Sequence, residues 1–270
     1  MATIISVEQL EARYEERTVF RELSMAIQEG SVTTIIGPNG CGKSTLLKTM
    51  GRILKPKSGK VSLLGKSLSH MSTKEIAKKL ALLSQNPVAP SQLKVEELIS
   101  YGRYPHQRRG HSLSAADFDV MEWAMEVTKT LEFREREMDQ LSGGQRQKVW
   151  LAMALAQETD LLLLDEPTTY LDMAHQLDVL KIVRDLNQNQ ACTVVMVLHD
   201  INHAARFSDQ LVAMKDGQIK AIGKPEEIMT PEVLRAVFDI EARIIEDPYD
   251  GVPICLGYDS VTTREAVLSN

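Results

Sequence analysis

The chain has no long apolar run: nothing in its 270 residues approaches the roughly 18 to 20 apolar residues that span a bilayer, and its N-terminus lacks a basic segment leading into a signal-like core. Any membrane role must therefore come through a partner. It is also short of basic charge. A net charge of -6 and a pI near 5.6 argue against a general nucleic-acid binder, which needs a surplus of Lys and Arg for phosphate contacts. Cysteine is scarce too. Cys41, Cys192 and Cys255 are far apart and make no metal-ligand pair, so they read as reduced thiols of a cytosolic protein. What remains, 43% apolar and 25% charged residues, suits one large α/β domain with an inserted lobe rather than a disordered chain.

The rest of the chain is organised around Gly37-Pro38-Asn39-Gly40-Cys41-Gly42-Lys43-Ser44-Thr45, a glycine, four free positions, then Gly-Lys-Ser/Thr. The β-branched run 31–36 precedes it as a strand, and residues 46–50 continue as a helix. Strand, glycine loop and helix make a phosphate cradle: glycines turn successive N–H groups inward, and the helix start adds roughly half a positive charge. Lys43 is expected on the β- and γ-phosphates and Ser44 on Mg²⁺, so the chain reads as a binder of a nucleoside triphosphate. Cys41 reads as a small side chain filling a free position, with redox sensitivity as the alternative.

Along the chain, residues 4–10 and 18–27 read as strands joined by a charged turn at Glu15-Glu16-Arg17. Tyr14, beside that turn, either stacks on an adenine ring or packs on its own sheet. A strand at 60–65, a helix at 73–80 and a buried strand at 81–84 follow, the last ending on Gln85, where open α/β sheets place ligands. From Pro87 to about Asp139 the pattern turns helical, with helices at 95–101 and 115–130. The basic, aromatic segment 103–111 reads there as a solvated loop or protein-docking surface rather than a nucleic-acid patch.

Leu141-Ser142-Gly143-Gly144-Gln145 then opens a helix over 146–156 and forms a second anion nest: an N-cap serine, two glycines and a helix start. The strand at 161–164 delivers Asp165 and Glu166 together. Asp165 is placed to hold Mg²⁺, directly or through waters, and Glu166 to polarise an attacking water. A loop at 168–172, a helix at 173–187 and a strand at 193–198 ending on His199 come next. Of the six histidines, only His199 ends a strongly apolar strand; His70, His106, His111, His175 and His203 read as surface or helix residues. A hairpin turn at Asp216-Gly217, a helix at 231–238, a second hairpin with strands 242–246 and 252–256, and a frayed polar tail over the last dozen residues complete the chain.

In this order the phosphate loop, Gln85, Leu141 to Gln145, Leu161 to Glu166, Leu171-Asp172 and His199 resemble the ATP-binding cassette ATPases across nearly the whole chain. The resemblance implies an α/β P-loop NTPase (RecA-like) core with an antiparallel β subdomain at 1–86 and 140–224, an inserted α-helical subdomain at 87–139, a C-terminal helix and hairpin at 225–258, and a tail at 259–270. It implies that Tyr14 stacks on adenine, Gln85 senses Mg²⁺ and γ-phosphate, Ser142 to Gln145 bind nucleotide, Asp172 lies at a subunit contact and His199 touches the γ-phosphate. ATP and Mg²⁺ are the implied cofactors.

A closer likeness lies in Gly102 to Gln107, Thr168 to Asp172, His199 to Ala204 and the ending Asp247 to Tyr258. These look like the ATPase subunits of iron(III)-siderophore importers, whose relatives include haem and cobalamin importers. That likeness implies a homodimer on the cytoplasmic face of the membrane, joined to separate permease subunits, two in number, with an extracytoplasmic substrate-binding protein and no nucleic acid. An exporter domain, or a cassette ATPase acting on DNA or ribosomes, is the other reading. Neither the fused membrane helices of the first nor the coiled-coil insertion or tandem cassettes of the second is present.

Overall fold

The computed structural model describes residues 2–14, 17–107 and 112–261. In chain order the elements are β1 Thr3–Tyr14, β2 Arg17–Gln28, β3 Val32–Ile36, α1 Lys43–Met50, β4 Ser58–Leu63, β5 Lys66–Ser67, α2 Thr73–Ala77, β6 Leu80–Leu83, α3 Val95–Ser100, α4 Ala115–Val127, α5 Gly143–Leu155 and β7 Leu161–Asp165. They continue as α6 Met173–Gln190, β8 Thr193–Val197, α7 Ile201–Phe207, β9 Gln210–Lys215, β10 Gln218–Gly223, α8 Pro225–Ile228, α9 Pro231–Phe238, β11 Ile240–Glu246 and β12 Pro253–Ser260. The chain divides into two compact units, one made of residues up to 67 and from 195 onward, the other of residues 68–194, with β8 lying across the division.

In the first unit, β2, β1, β4 and β5 form an antiparallel sheet in that order. Burial alternates along β2, so one face of this sheet is solvated. Bulges let its long strands twist: Gln9 and Glu22 both take left-handed backbone where the β1–β2 register shifts. The other sheet of the unit is built differently. β3 is buried at all five residues and pairs in parallel with β9, Thr33 opposite Gln210 and Ile36 opposite Ala213, while β9 turns back antiparallel into β10. A continuous apolar or β-branched run is what burial on both faces demands. The β11–β12 hairpin is tied to α7 by Asn202, and Arg206 Nε also lies 3.4 Å from Asp250 Oδ2 in its turn. Cys255 N donates to Asn202 Oδ1 at 2.7 Å, and Asn202 Nδ2 donates to Cys255 O at 3.1 Å.

In the second unit, β6 and β7 pair in parallel, Leu80 opposite Leu161 and Leu83 opposite Leu164. The four leucines of β7 are essentially sealed from solvent, each contributing about 2 kcal/mol of transfer free energy as an upper estimate. Helix ends follow local chemistry more than periodicity. α4 stops at Val127, before the sequence expectation of Thr130, because Lys129 turns left-handed and Thr130 N returns to Met125 O at 2.8 Å. α5 starts three residues earlier than expected, since Ser142 caps the helix and draws both glycines into its first turn. α6 runs on to Gln190, until Ala191 adopts left-handed backbone.

The segment 103–111 departs from its sequence reading. Arg103 is buried, 5% exposed, and is not a surface group. Its Nε donates to Asp117 Oδ1 at 2.9 Å, and its Nη1 donates to Ala156 O and Glu158 Oε2, both at 2.7 Å. Gly102 lets this happen, because a Cβ there would lie 2.3 Å from Met153 O. The guanidinium therefore ties α4 to the end of α5 from inside the unit, and Tyr104 beside it carries the exposure. Residues 108–111 lie outside the described residues, as does the expected polar tail from 262 on; residues 259 and 260 belong to β12.

Replacing Arg103 with Ala takes the guanidinium partner from a buried Asp117 carboxylate and cuts the tie between α4 and α5, and should lower unfolding free energy by about 3 kcal/mol, whereas Tyr104→Ala should stay within about 0.5 kcal/mol of wild type in a urea titration. The Ser114 hydroxyl and backbone N–H, and then Arg103, hold the Asp117 carboxyl at about 2, against an ordinary 3.8. Because the folded value is the depressed one, this contribution is complete above 3.8 and is lost as the pH falls through about 2. Urea midpoints followed down that range check it.

Candidate functional site

In the first unit the phosphate loop leaves β3 at Gly37. A Cβ on Gly37 would lie 2.1 Å from Met214 O of β9, so nothing larger than glycine passes this point. Gly40 and Gly42 take φ of 77° and 107°, and the chain then enters α1 at Lys43 with no side chain capping the helix start. The first N–H groups of α1 are thus directed out of its end, the arrangement that receives an anion. Lys43, 5% exposed, folds back over the loop and donates from Nζ to Gly37 O at 2.8 Å and Pro38 O at 3.0 Å. Two of three ammonium donors brace the loop itself. Cys41 is buried, its thiol pushed up by desolvation, and its carbonyl accepts from Gly217 N at 3.1 Å, which is the behaviour of a filler rather than a reactive thiol.

Ser44 is half-buried and Thr45 buried at the start of α1, while Asn39 and Gly40 are exposed on the loop. Tyr14 ends β1, its backbone paired with Arg17. His199 follows β8 as an exposed residue, just before Asp200, whose carboxylate caps α7 by accepting from His203 N at 2.8 Å.

The second unit holds the acids. Asp165 ends β7 at 1% exposure, and Glu166 follows in left-handed backbone, φ 54°, 8% exposed. Left-handed backbone at a non-glycine residue is uncommon, and here it turns the chain sharply out of the end of β7. Glu166 is aimed by two donors on one oxygen: Gln85 Nε2 at 2.5 Å and Thr169 Oγ1 at 3.0 Å both reach its Oε2. The strand-end amide and the strand-end acid, read separately from the sequence, therefore meet. Thr169 went unnoticed there, although its place three residues after Glu166 in a tight turn was the available signal.

At the head of α5, Ser142 is the N-cap that the sequence reading expected. Ser142 Oγ accepts from Gln145 N at 3.3 Å, and Gln145 Oε1 accepts from Ser142 N at 2.9 Å, a closed capping box at the head of α5. Ser142 and Gly143 are exposed, while Gly144 is buried under the imidazole of His175. Asp172 caps α6, accepting at Oδ1 from His175 N at 2.9 Å and from His175 Nδ1 at 2.8 Å. Those two donors, the backbone one first, hold the Asp172 carboxyl below the usual carboxylate range. His175, read from the sequence as an ordinary helix residue, touches both features.

Residues 20–169 match the family model for ABC transporters, more than half of the chain. The chain belongs to the ABC transporter family. As an ABC ATPase it binds and hydrolyses ATP, and its α/β P-loop fold is that of solved ABC cassettes. Among curated relatives, the iron(3+)-hydroxamate import ATP-binding protein of Bacillus subtilis is 51% identical over 98% of both chains. The ferric enterobactin transport ATP-binding protein of Escherichia coli is 44% identical over 92% of this chain and 91% of its own. Among solved structures, an ABC transporter described as of metal-chelate type, in an inward-facing conformation, superposes with a TM-score of 0.83 at 29% identity, over 97% of this chain and all of that one. A dimeric ATP-binding cassette in a post-hydrolysis state, bound to ADP and Pi, gives 0.71 at 27% identity, over 82% of this chain and 98% of that one.

Proposed function

We propose that this ABC ATPase powers uptake of an iron(III)-siderophore complex through separate permease subunits fed by an extracytoplasmic binding protein. The observation that carries this is the 51% identity, over 98% of both chains, with an ATP-binding protein of iron(3+)-hydroxamate import. Among the described residues no helix is long and apolar enough to cross a membrane, which fits a peripheral subunit held on the cytoplasmic face by its permease.

In this reading the phosphate loop and Lys43 hold the β- and γ-phosphates, Tyr14 stacks on the adenine, and His199 contacts the γ-phosphate. Glu166, turned by Gln85 and Thr169, accepts the proton of a water whose oxygen attacks the γ-phosphorus as the bond to ADP breaks. The Ser44 hydroxyl, Gln85 amide oxygen and Asp165 carboxylate are hard oxygen donors of the kind Mg²⁺ prefers, and they would hold it. Among the described residues no three His, Cys, Asp or Glu side chains could hold a metal ion by themselves, which suits an ion that leans on nucleotide phosphates. When bound, Mg²⁺ neutralises phosphate charge.

One phosphate loop accompanies two nests in each chain, so two chains meeting head to tail would give each ATP the loop of one and the Ser142 to Gln145 nest of the other. Asp172 would lie at that contact. ATP then joins the pair and hydrolysis releases it, which converts chemistry into motion of the permease.

Lys43→Ala should impair nucleotide binding and turnover alike, while Glu166→Gln should keep binding and lower turnover by about 100-fold or more, read by equilibrium nucleotide binding and phosphate release. Wild-type hydrolysis by Glu166→Gln would remove Glu166 from the role of base. In mixed dimers, a Ser142→Arg chain paired with a Lys43→Ala chain should retain one working site, and complete inactivity would favour a site built within one chain. Deleting the gene should reduce labelled ferric-siderophore uptake under iron limitation; unchanged uptake across a siderophore panel, with loss of cobalamin or haem uptake, would reassign the cargo.

A further inference from the structure

Outside the residues given roles above, one side chain in the second unit bridges two of them. The ring of His175, in the first turn of α6, lies where a side chain on Gly144 would begin. A Cβ built on Gly144 would stand 2.6 Å from His175 Cδ2, 2.8 Å from Cγ and 3.2 Å from Nε2. The same ring is anchored from the other side by Asp172 Oδ1, 2.8 Å from Nδ1. An ionised carboxylate only accepts, so Nδ1 carries the hydrogen, and the ring is fixed in both orientation and tautomer. The groups on either side of it are each held within their own helix start, Ser142 by its box with Gln145 and Asp172 by His175 N, and the ring is what joins the two. Asp172 has 67% of its side chain exposed, and Ser142 and Gly143 are exposed at the head of α5. One helical turn farther on, Lys148 Nζ meets Asp178 Oδ2 at 2.6 Å, an α5–α6 contact that does not depend on the imidazole.

We propose that His175 is a positioning residue for ATP hydrolysis: by wedging its ring on Gly144 while hydrogen-bonded to Asp172, it holds the Ser142 to Gln145 nest and the Asp172 loop in one fixed relation. This rests on the reading of that nest as the half-site offered to a second chain's ATP. Two exposed features that must engage a partner together gain from being aligned beforehand, because the ordering cost is then met on folding rather than in each catalytic cycle. Gly144 must be glycine for the wedge to fit at all. The Lys148–Asp178 pair keeps α5 against α6 without it, so the loss of His175 should be felt in the alignment of the nest more than in stability.

His175→Leu keeps bulk and removes the donor; His175→Gln keeps a planar donor able to reach Asp172. In the full chain, His175→Leu should lower kcat about 10-fold with KM for ATP within about 2-fold of wild type and an unchanged melting temperature, because a single chain's own loop still captures ATP. His175→Gln should recover most of that loss. Wild-type kcat in His175→Leu overturns the proposal, as does an equal fall in both variants accompanied by a lowered melting temperature, which would mark a merely structural side chain. Ser142→Arg is run beside them. If it leaves turnover intact, the nest itself has been misread; if it abolishes turnover while His175→Leu does not, only the role of His175 falls.

Discussion

A missing Cβ under a backbone carbonyl governs the nucleotide half of this molecule. Met214 O of β9 occupies the space that any side chain at residue 37 would need, so β3 can be followed at that point only by glycine. That single close approach lets a buried parallel strand turn at once into the glycine loop that leads to α1. The loop is then braced by its own lysine, which spends two donors on the carbonyls of Gly37 and Pro38. The loop is therefore held in shape by a residue of its own sequence.

The second unit orients its acid by another means. Glu166 sits in backbone that most residues avoid, directly after a strand of four buried leucines. Its carboxylate is gripped by the amide of a neighbouring strand end and by the hydroxyl of its own turn. Rigid strands carry the functional groups out of the core, and short turns with unusual dihedrals aim them.

How much of this was legible in the sequence depended on the range of the interaction. The phosphate loop, the capping serine of α5 and the acid pair after β7 are local patterns, in which neighbours along the chain determine geometry, and all stood where the residues put them. The β3 and β7 strands were equally plain, because burial on both faces writes a continuous apolar run. Arg103 was misread because its partners, Asp117, Ala156 and Glu158, are distant in sequence, and a basic, aromatic stretch looks like surface until a carboxylate is found to answer it. His175 was passed over for the same reason. Nothing near it in the chain announces that a glycine thirty-one residues earlier leaves room for its ring. Helix ends were displaced by left-handed residues such as Lys129 and Ala191, whose conformation no hydrophobic period encodes.

Asn202 carries a consequence of a different kind. The β11–β12 hairpin is a sheet of only two strands, and such a ribbon presents bare main-chain donors and acceptors on its outer edges. By taking both the N–H and the C=O of Cys255, the Asn202 amide imitates the next strand for the length of one residue. A foreign strand seeking to add to β12 meets a rung already filled, and must displace a bidentate partner before it can zip. One asparagine thus makes the edge of β12 harder to extend at Cys255.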